Sequence, residues 1–243
     1  MNRLIYFCTA IVASSTISLG SDLKDAKEIL TKADEATKKV QAVRYKGSFK
    51  GTGFVAARQP AVEGTALIAG KYAEGRGKFR IEAKVTPSGS TETKEVSAGS
   101  DGETFWVIDS KTKTVHEDMD PNVMGATGRP VMALAMREFT HPTPFSDEIE
   151  AEKAELKEDK KIGSEECYQI HVLYARGQGE AVWCFSKKDF LPRGVERLVK
   201  NAEGQTASII TEVTSLEADP KLPEDAFKAV VPEGFKKTDE FAP

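Results

Sequence analysis

From Lys78 to Val85 the chain alternates without a fault. Phe79, Ile81, Ala83 and Val85 are apolar, whereas Lys78, Arg80, Glu82 and Lys84 are charged. Successive side chains of a strand point to opposite faces, so this stretch has one dry face and one wet face. Such a strand suits an antiparallel sheet solvated on one side; doubly covered parallel sheets carry strands that are apolar throughout. The period recurs. Val43, Tyr45 and Phe49 alternate with Arg44, Lys46, Ser48 and Lys50, and Val62, Gly64, Ala66 and Ile68 line one face of a further strand. Gly51 and Gly53 interrupt the pattern and Phe54 falls out of phase, which marks a bulge or bend. Consecutive strands joined by short turns predict a meander that curls into a curved sheet or barrel.

The segment Ser100 to His116 adds a hairpin. Asp101-Gly102 is a turn signal, Thr104 to Ile108 is rich in β-branched and aromatic residues, and a polar turn over Asp109 to Lys113 leads to a second short strand. Towards the end of the chain, strands are expected around Cys167 to Phe185 (a hairpin), Val195 to Val199, Ala207 to Leu216 and Phe227 to Val231. The mixed-charge run Glu150 to Lys161 reads as a solvated strand or hairpin.

Helices are few. Ser21 can cap a helix from Asp22 to Val40, with Leu23, Ala26, Ile29, Leu30, Ala33, Ala36 and Val40 forming one apolar stripe. Glu28–Lys32, Asp34–Lys38 and Glu35–Lys39 are acid-before-base pairs assigned to its exposed side. Pro130 suits the first turn of a second helix over Val131 to Phe139, apolar on most sides, and a short acidic helix is expected near Asp147 to Glu152. No repeat or interdomain linker breaks the chain, so residues 21–243 are expected to form a single domain.

Residues 1–20 predict a signal peptide. Arg3 is the sole charge before Asp22, Leu4 to Val12 is apolar, and Ser18-Leu19-Gly20 fits a cleavage site before Ser21. The apolar run falls short of the roughly 20 residues that span a bilayer. Export to a periplasm is the expectation. Removing Arg3 moves the formal net charge from −4 to −5, which gives no reason to expect nucleic acid or an anionic membrane as partner.

Cys167 and Cys184 remain after cleavage, and in an exported protein a lone pair points to a disulfide. Alternation puts both sulfurs on the less apolar side of one hairpin. A tight turn at Gly177-Gln178 would set Cys184 opposite His171 and leave Cys167 roughly 13 Å along the strand. A bridge therefore needs a looser loop or a bulge nearer Ala175, because the Cα atoms must come within about 7 Å.

Chemistry is sparse. The chain has no Gly-x-Ser-x-Gly elbow, no His-Glu-x-x-His and no phosphate-binding glycine loop. His116, His141 and His171 lie on scattered elements, and Asp118-Met119-Asp120 lacks the spaced ligands of a calcium loop. No catalytic residue, metal ligand or cofactor is nominated, and the reading is of a binding protein rather than an enzyme. The inner face of a curled sheet is the useful surface, with Tyr45, Phe49, Phe79, Ile81 and either Phe105 or Trp106 facing it. Either the two helices plug that hollow or they form a lid over an acyl chain or other apolar ligand, for which Met132 and Met136 would be adaptable.

Three motifs in order then point to a family. Gly77-Lys78-Phe79-Arg80-Ile81-Glu82, Asp101-Gly102-Glu103-Thr104-Phe105-Trp106, and Leu222-Pro223-Glu224-Asp225-Ala226-Phe227 followed by Val231-Pro232-Glu233-Gly234-Phe235 resemble the LolA/LolB-like superfamily of periplasmic lipoprotein carriers. The resemblance implies a mainly β fold: an unclosed antiparallel barrel of about eleven strands, with helices lidding a concave apolar face. It implies a cavity holding the acyl chains of a lipid or lipoprotein, exchanged with membrane-bound donors or acceptors by a monomer. Val43, Tyr45, Phe49, Phe79, Ile81, Trp106, Leu134 and Met136 are the expected lining residues. Arg80, on the polar face, is read as structural. The alternative is a non-enzymatic periplasmic sensor or interaction module of the same fold with a self-filled cavity.

Overall fold

The computed structural model describes residues 23–71 and 77–243, so the signal peptide expected at 1–20 lies outside the described residues. The first alternating segments form a six-strand meander: β1 (Ala42–Gly51), β2 (Ala61–Ala69), β3 (Lys78–Thr86), β4 (Lys94–Ser100), β5 (Phe105–Asp109) and β6 (Thr114–Asp118). Seven further strands follow: β7 (Lys153–Leu156), β8 (Lys160–Ile162), β9 (Glu165–Leu173), β10 (Glu180–Ser186), β11 (Pro192–Lys200), β12 (Thr206–Ala218) and β13 (Lys236–Thr238). All belong to one sheet in the order β13-β6-β5-β4-β3-β2-β1-β12-β11-β10-β9-β7, with β8 also on β9. The sheet is unclosed, ending at β13 and β7, which is the half-barrel that the resemblance implies with thirteen strands in place of about eleven.

The two meanders meet where β1 pairs antiparallel with β12, from Val43 opposite Ala218 to Gly51 opposite Ile209. A bulge between Lys46 and Gly47 bends this central seam. Gly64 stands in register with Gly47 on one side and Ala83 on the other. A Cβ there would come 2.2 Å from the Glu82 carbonyl oxygen, so the glycine lets the sheet fold tightly upon its inner face.

Helix α1 (Ala26–Lys39) covers that face. Its N-cap is Asp25, whose carboxylate accepts the Lys27 N–H, so the helix starts later than the sequence suggests. Ile29, Leu30 and Ala33 are buried, and Glu28–Lys32 forms an outer ion pair at 3.0 Å. Asp34 makes the expected pair with Lys38 but is buried rather than exposed, and its Oδ1 also accepts the N–H of Phe145 at 3.2 Å.

The expected helix over Val131 to Phe139 does not exist as one piece. The insert between β6 and β7 is a chain of short turns: 3-10 turns at Pro121–Met124, Arg129–Leu134 and Arg137–Phe139, and the one-turn helices α2 (Gly125–Gly128) and α3 (Ser146–Ile149). Ala135 and Met136 are extended between them. The reason is tertiary. The Tyr45 hydroxyl donates to the Leu134 carbonyl at 2.6 Å and accepts the Met136 N–H at 3.0 Å, claiming groups that a continuous helix would use.

Two further expectations are corrected. Phe227 to Val231 is not a strand; the tail runs irregularly between Pro223 and Pro232, and the closing strand is β13, parallel to β6. The Cys167–Cys184 disulfide is absent, and both are buried free thiols. Cys184 sits opposite Gln169 and Cys167 opposite Ser186. Diagonal partners of this kind have Cα atoms about 7–8 Å apart, outside disulfide reach. Burial pushes the Cys167 thiol up to about 12.

Candidate functional site

Alternation places Val43 and Tyr45 (β1), Ala66 and Ile68 (β2), and Phe79 and Ile81 (β3) on the concave face, which continues across the seam to Val213, Trp183, Phe185, Ile170 and Val172. All are buried in one apolar cluster with Ile29 and Leu30 of α1 and with Val131, Leu134, Met136, Phe139 and Phe145 of the insert. Of the eight expected lining residues, the structure therefore brings together Val43, Tyr45, Phe79, Ile81, Leu134 and Met136, with Phe49 packed at the margin.

Trp106 is the exception. Its strand neighbours Phe105 and Val107 take the concave side, and Trp106 lies buried on the outer face, where its Nε1 donates to the Phe227 carbonyl at 2.8 Å. Arg80 stacks above it at 5.7 Å while pairing with Glu82, the structural role expected of it. Alternation left the choice between Phe105 and Trp106 open, because the tail that dries the outer face at this point lies far away in sequence.

The cover is joined to the sheet by few polar contacts. Besides the Tyr45 bridge, Lys71 donates to the carbonyls of Thr37 (3.1 Å) and Phe139 (2.8 Å), tying α1 to the insert. At the other end, Tyr174 donates to Glu148 Oε1 at 2.6 Å and accepts the Trp183 indole N–H at 3.0 Å. Burial raises the Tyr45 and Tyr174 hydroxyls far above the usual phenol range, so both stay protonated donors.

Beside this last contact is a cleft of about 450 Å³, lined in part by Arg137, Glu138, His141, Glu148, Tyr174 and Arg197. Burial pushes the carboxyls of Glu138 and Glu148 upward, only partly opposed by Arg197. The Arg197 guanidinium lies 3.8 Å from Glu138 and 5.8 Å over the Trp183 ring. Phe145 packs edge-on against Trp183 and Phe185, next in sequence to Pro144 and Ser146, which line the cleft. The sequence reading missed this cluster. One local signal was available: Arg197 falls in phase with Val195 and Val199 on the inner face of β11. The outer face carries a wider depression of about 750 Å³, but its walls include the solvated charges Lys46, Glu63, Glu82, Lys84 and Glu95, ill suited to an acyl chain.

A family described as "Predicted periplasmic protein (DUF2092)" matches residues 73–239. The chain belongs to the DUF2092 family. The match runs from β3 through β13 and includes the whole insert, so the lid and the polar cleft are built largely from DUF2092 sequence. The family description places the protein in the periplasm, the compartment its N-terminus predicts. No curated protein matches this DUF2092 chain in sequence.

Solved structures similar to it are of low identity. LprF from Mycobacterium bovis is 11% identical with a TM-score of 0.49, over 86% of this chain and 97% of that one. The Mycobacterium tuberculosis lipoprotein LppX is 8% identical with a TM-score of 0.48, over 81% and 97%. MucB in the Pseudomonas aeruginosa MucA/MucB complex is 14% identical with a TM-score of 0.44, over 85% of this chain and 61% of that one, so the DUF2092 chain spans about three fifths of that relative.

Proposed function

We propose that this DUF2092 protein is a periplasmic carrier that takes the acyl chains of a lipid or lipoprotein onto its concave face, with the 121–151 insert as the lid. The observation that carries the reading is the construction of the cover. A continuous apolar surface lies beneath a segment made of short turns and one-turn helices, held by a handful of hydrogen bonds. Lifting that segment uncovers Val43, Tyr45, Phe79 and Ile81 together. Each acyl methylene buried there contributes about 0.8 kcal/mol, against the cost of exposing the lid's own apolar side. Binding needs no covalent step, and the protein acts as a monomer that exchanges cargo with membrane-bound donors or acceptors.

A second reading rests on the closeness of the seal: Ile29, Leu30, Val43, Ile81 and Val131 are fully buried within one apolar cluster. It makes the protein a sensor or interaction module that fills its own hollow. Native mass spectrometry of the exported protein, purified without detergent, separates the two. A discrete extra mass released by organic solvent and identified as a lipid supports the carrier. Bare protein that stays bare after incubation with phospholipid vesicles favours the interaction module.

A further inference from the structure

We infer that the cleft between the insert and strands β9–β11 is a headgroup site for a zwitterion carrying both a phosphate and a primary ammonium, as in an aminophospholipid. The inference rests on the carrier reading. It comes from the mixed charge of the walls. Arg137, Arg197 and His141 offer donors to a phosphate, while Glu138 and Glu148 offer acceptors to an ammonium. A purely anionic headgroup would meet the carboxylates of Glu138, Asp147 and Glu148, and a purely cationic one the two guanidinium groups; a zwitterion satisfies both.

Glu148 supplies the second observation. It is 6% exposed and its carboxylate has hydrogen bonds from Tyr174 and from its own backbone N–H, yet it has no cation within ion-pair distance among the described residues. A carboxylate this buried is costly without a cation. The guanidinium of Arg197 is turned to Glu138 instead, at 3.8 Å. Burial also holds both carboxyls above their ordinary range, the direction an arriving ammonium would reverse. A primary ammonium can donate to both, whereas a trimethylammonium has no N–H to give.

The position suits a headgroup. Two of the residues lining the cleft touch the concave cluster: Tyr174 accepts the Trp183 indole N–H, and Arg197 lies over the same ring. A glycerol backbone seated there would direct its chains under the lid.

The test incubates delipidated protein with vesicles of equal parts phosphatidylethanolamine, phosphatidylcholine and phosphatidylglycerol bearing the same acyl chains. Bound lipid is then quantified by mass spectrometry after re-isolation. The expected result is phosphatidylethanolamine enriched about tenfold over each of the others, the discrimination of one charge-assisted hydrogen bond. In the Glu138→Gln/Glu148→Gln variant the preference should vanish, with bound phosphatidylethanolamine falling to the level of the other two lipids. The amide oxygen introduced by Glu148→Gln can still accept from Tyr174, and near-UV circular dichroism checks the fold. Arg137→Gln, at an exposed position, should weaken capture of soluble glycerophosphoethanolamine by about tenfold in a titration. Equal uptake of the three lipids, or selection of phosphatidylglycerol, overturns the headgroup site and leaves the carrier standing. Uptake of no lipid, with glycerophosphoethanolamine still captured, supports the zwitterion site and overturns the carrier. No binding of either overturns both.

Discussion

The hydroxyl of Tyr45, on the central strand of the sheet, donates at 2.6 Å to the carbonyl of Leu134 at the end of a 3-10 turn in the lid. Both residues are buried, and the same oxygen accepts the Met136 N–H. One phenol therefore satisfies two backbone groups that the broken helix leaves over. Tyr45→Phe strands both in an apolar environment, a loss of about 1–3 kcal/mol. The urea midpoint should fall accordingly, and limited proteolysis should cut sooner within residues 125–145 than in the wild type.

Glu148 gives the lid a pH dependence of definite sign. Its folded-state value is raised by burial above the ordinary 4.5. Such a group contributes its stability in full below the unfolded value and loses it as pH rises through the folded value. Glu148→Gln removes that loss. Thermal midpoints of the two proteins compared between about pH 4.5 and about pH 7.5 should diverge in favour of the variant as pH rises. Asp101 and Asp109 act in the opposite direction. Burial opposes their ionisation, but the N–H of Thr104 on Asp101 and the hydroxyl of Thr112 on Asp109 lead the hydrogen bonds that outweigh it. They titrate alike in both proteins, so the difference reports Glu148 together with its neighbour Glu138, whose carboxyl the Glu148 charge also raises.

Trp106→Phe separates the two faces of the sheet. The indole N–H holds the tail at Phe227 on the outer face, so its removal costs about 1–3 kcal/mol. Lipid uptake by the folded protein should nevertheless stay at the wild-type level. A fall in uptake would mean that the outer face, rather than the concave one, holds the ligand.

Gly125 is fitted to the tail. Its φ is +51°, and a Cβ there would lie 1.7 Å from the carbonyl oxygen of Ala242, whose N–H in turn donates to the Val123 carbonyl. Gly125→Ala should destabilise by about 2 kcal/mol or more and loosen the segment around Ala242, read as a lower urea midpoint and faster exchange of the Ala242 amide.

Cys167 and Cys184 should resist alkylation by iodoacetamide in the native state and react once the protein is unfolded in guanidinium. Burial of both thiols and the raised thiol of Cys167 predict this order. Peptide mapping with no mass loss for a disulfide would agree with the offset register of β9 and β10.

What could be read from the sequence was whatever depends on neighbours along the chain. The alternation of Phe79, Ile81 and Val85 assigned the buried face of β3, and the stripe of Ile29, Leu30 and Ala33 assigned that of α1. What escaped depends on residues brought from far away. Asp34 pairs with Lys38 as its spacing implies, but its burial beside the Phe145 N–H does not follow from that spacing. Val131 to Phe139 has the composition of a helix, and Tyr45 breaks it. The cleft draws Glu138 and Glu148 from the insert, Tyr174 from the end of β9 and Arg197 from β11, a grouping that no spacing encodes.

The pairing of β1 with β12 also dictates the order in which the chain can fold. Strands β1 to β6 form by local hairpins, and so do β9 to β12, but the seam between them matches Val43 with Ala218 and cannot begin until nearly the whole chain is present. A polypeptide emerging N-terminus first into the periplasm would thus hold the unpaired edge of β1 open while the other half is still being delivered. Closing so long a loop is slow, and an unpaired strand edge left waiting invites pairing with other chains. A maturation paced by the arrival of the second meander is what this pairing implies, with the free edge of β1 the surface a chaperone would hold in the meantime.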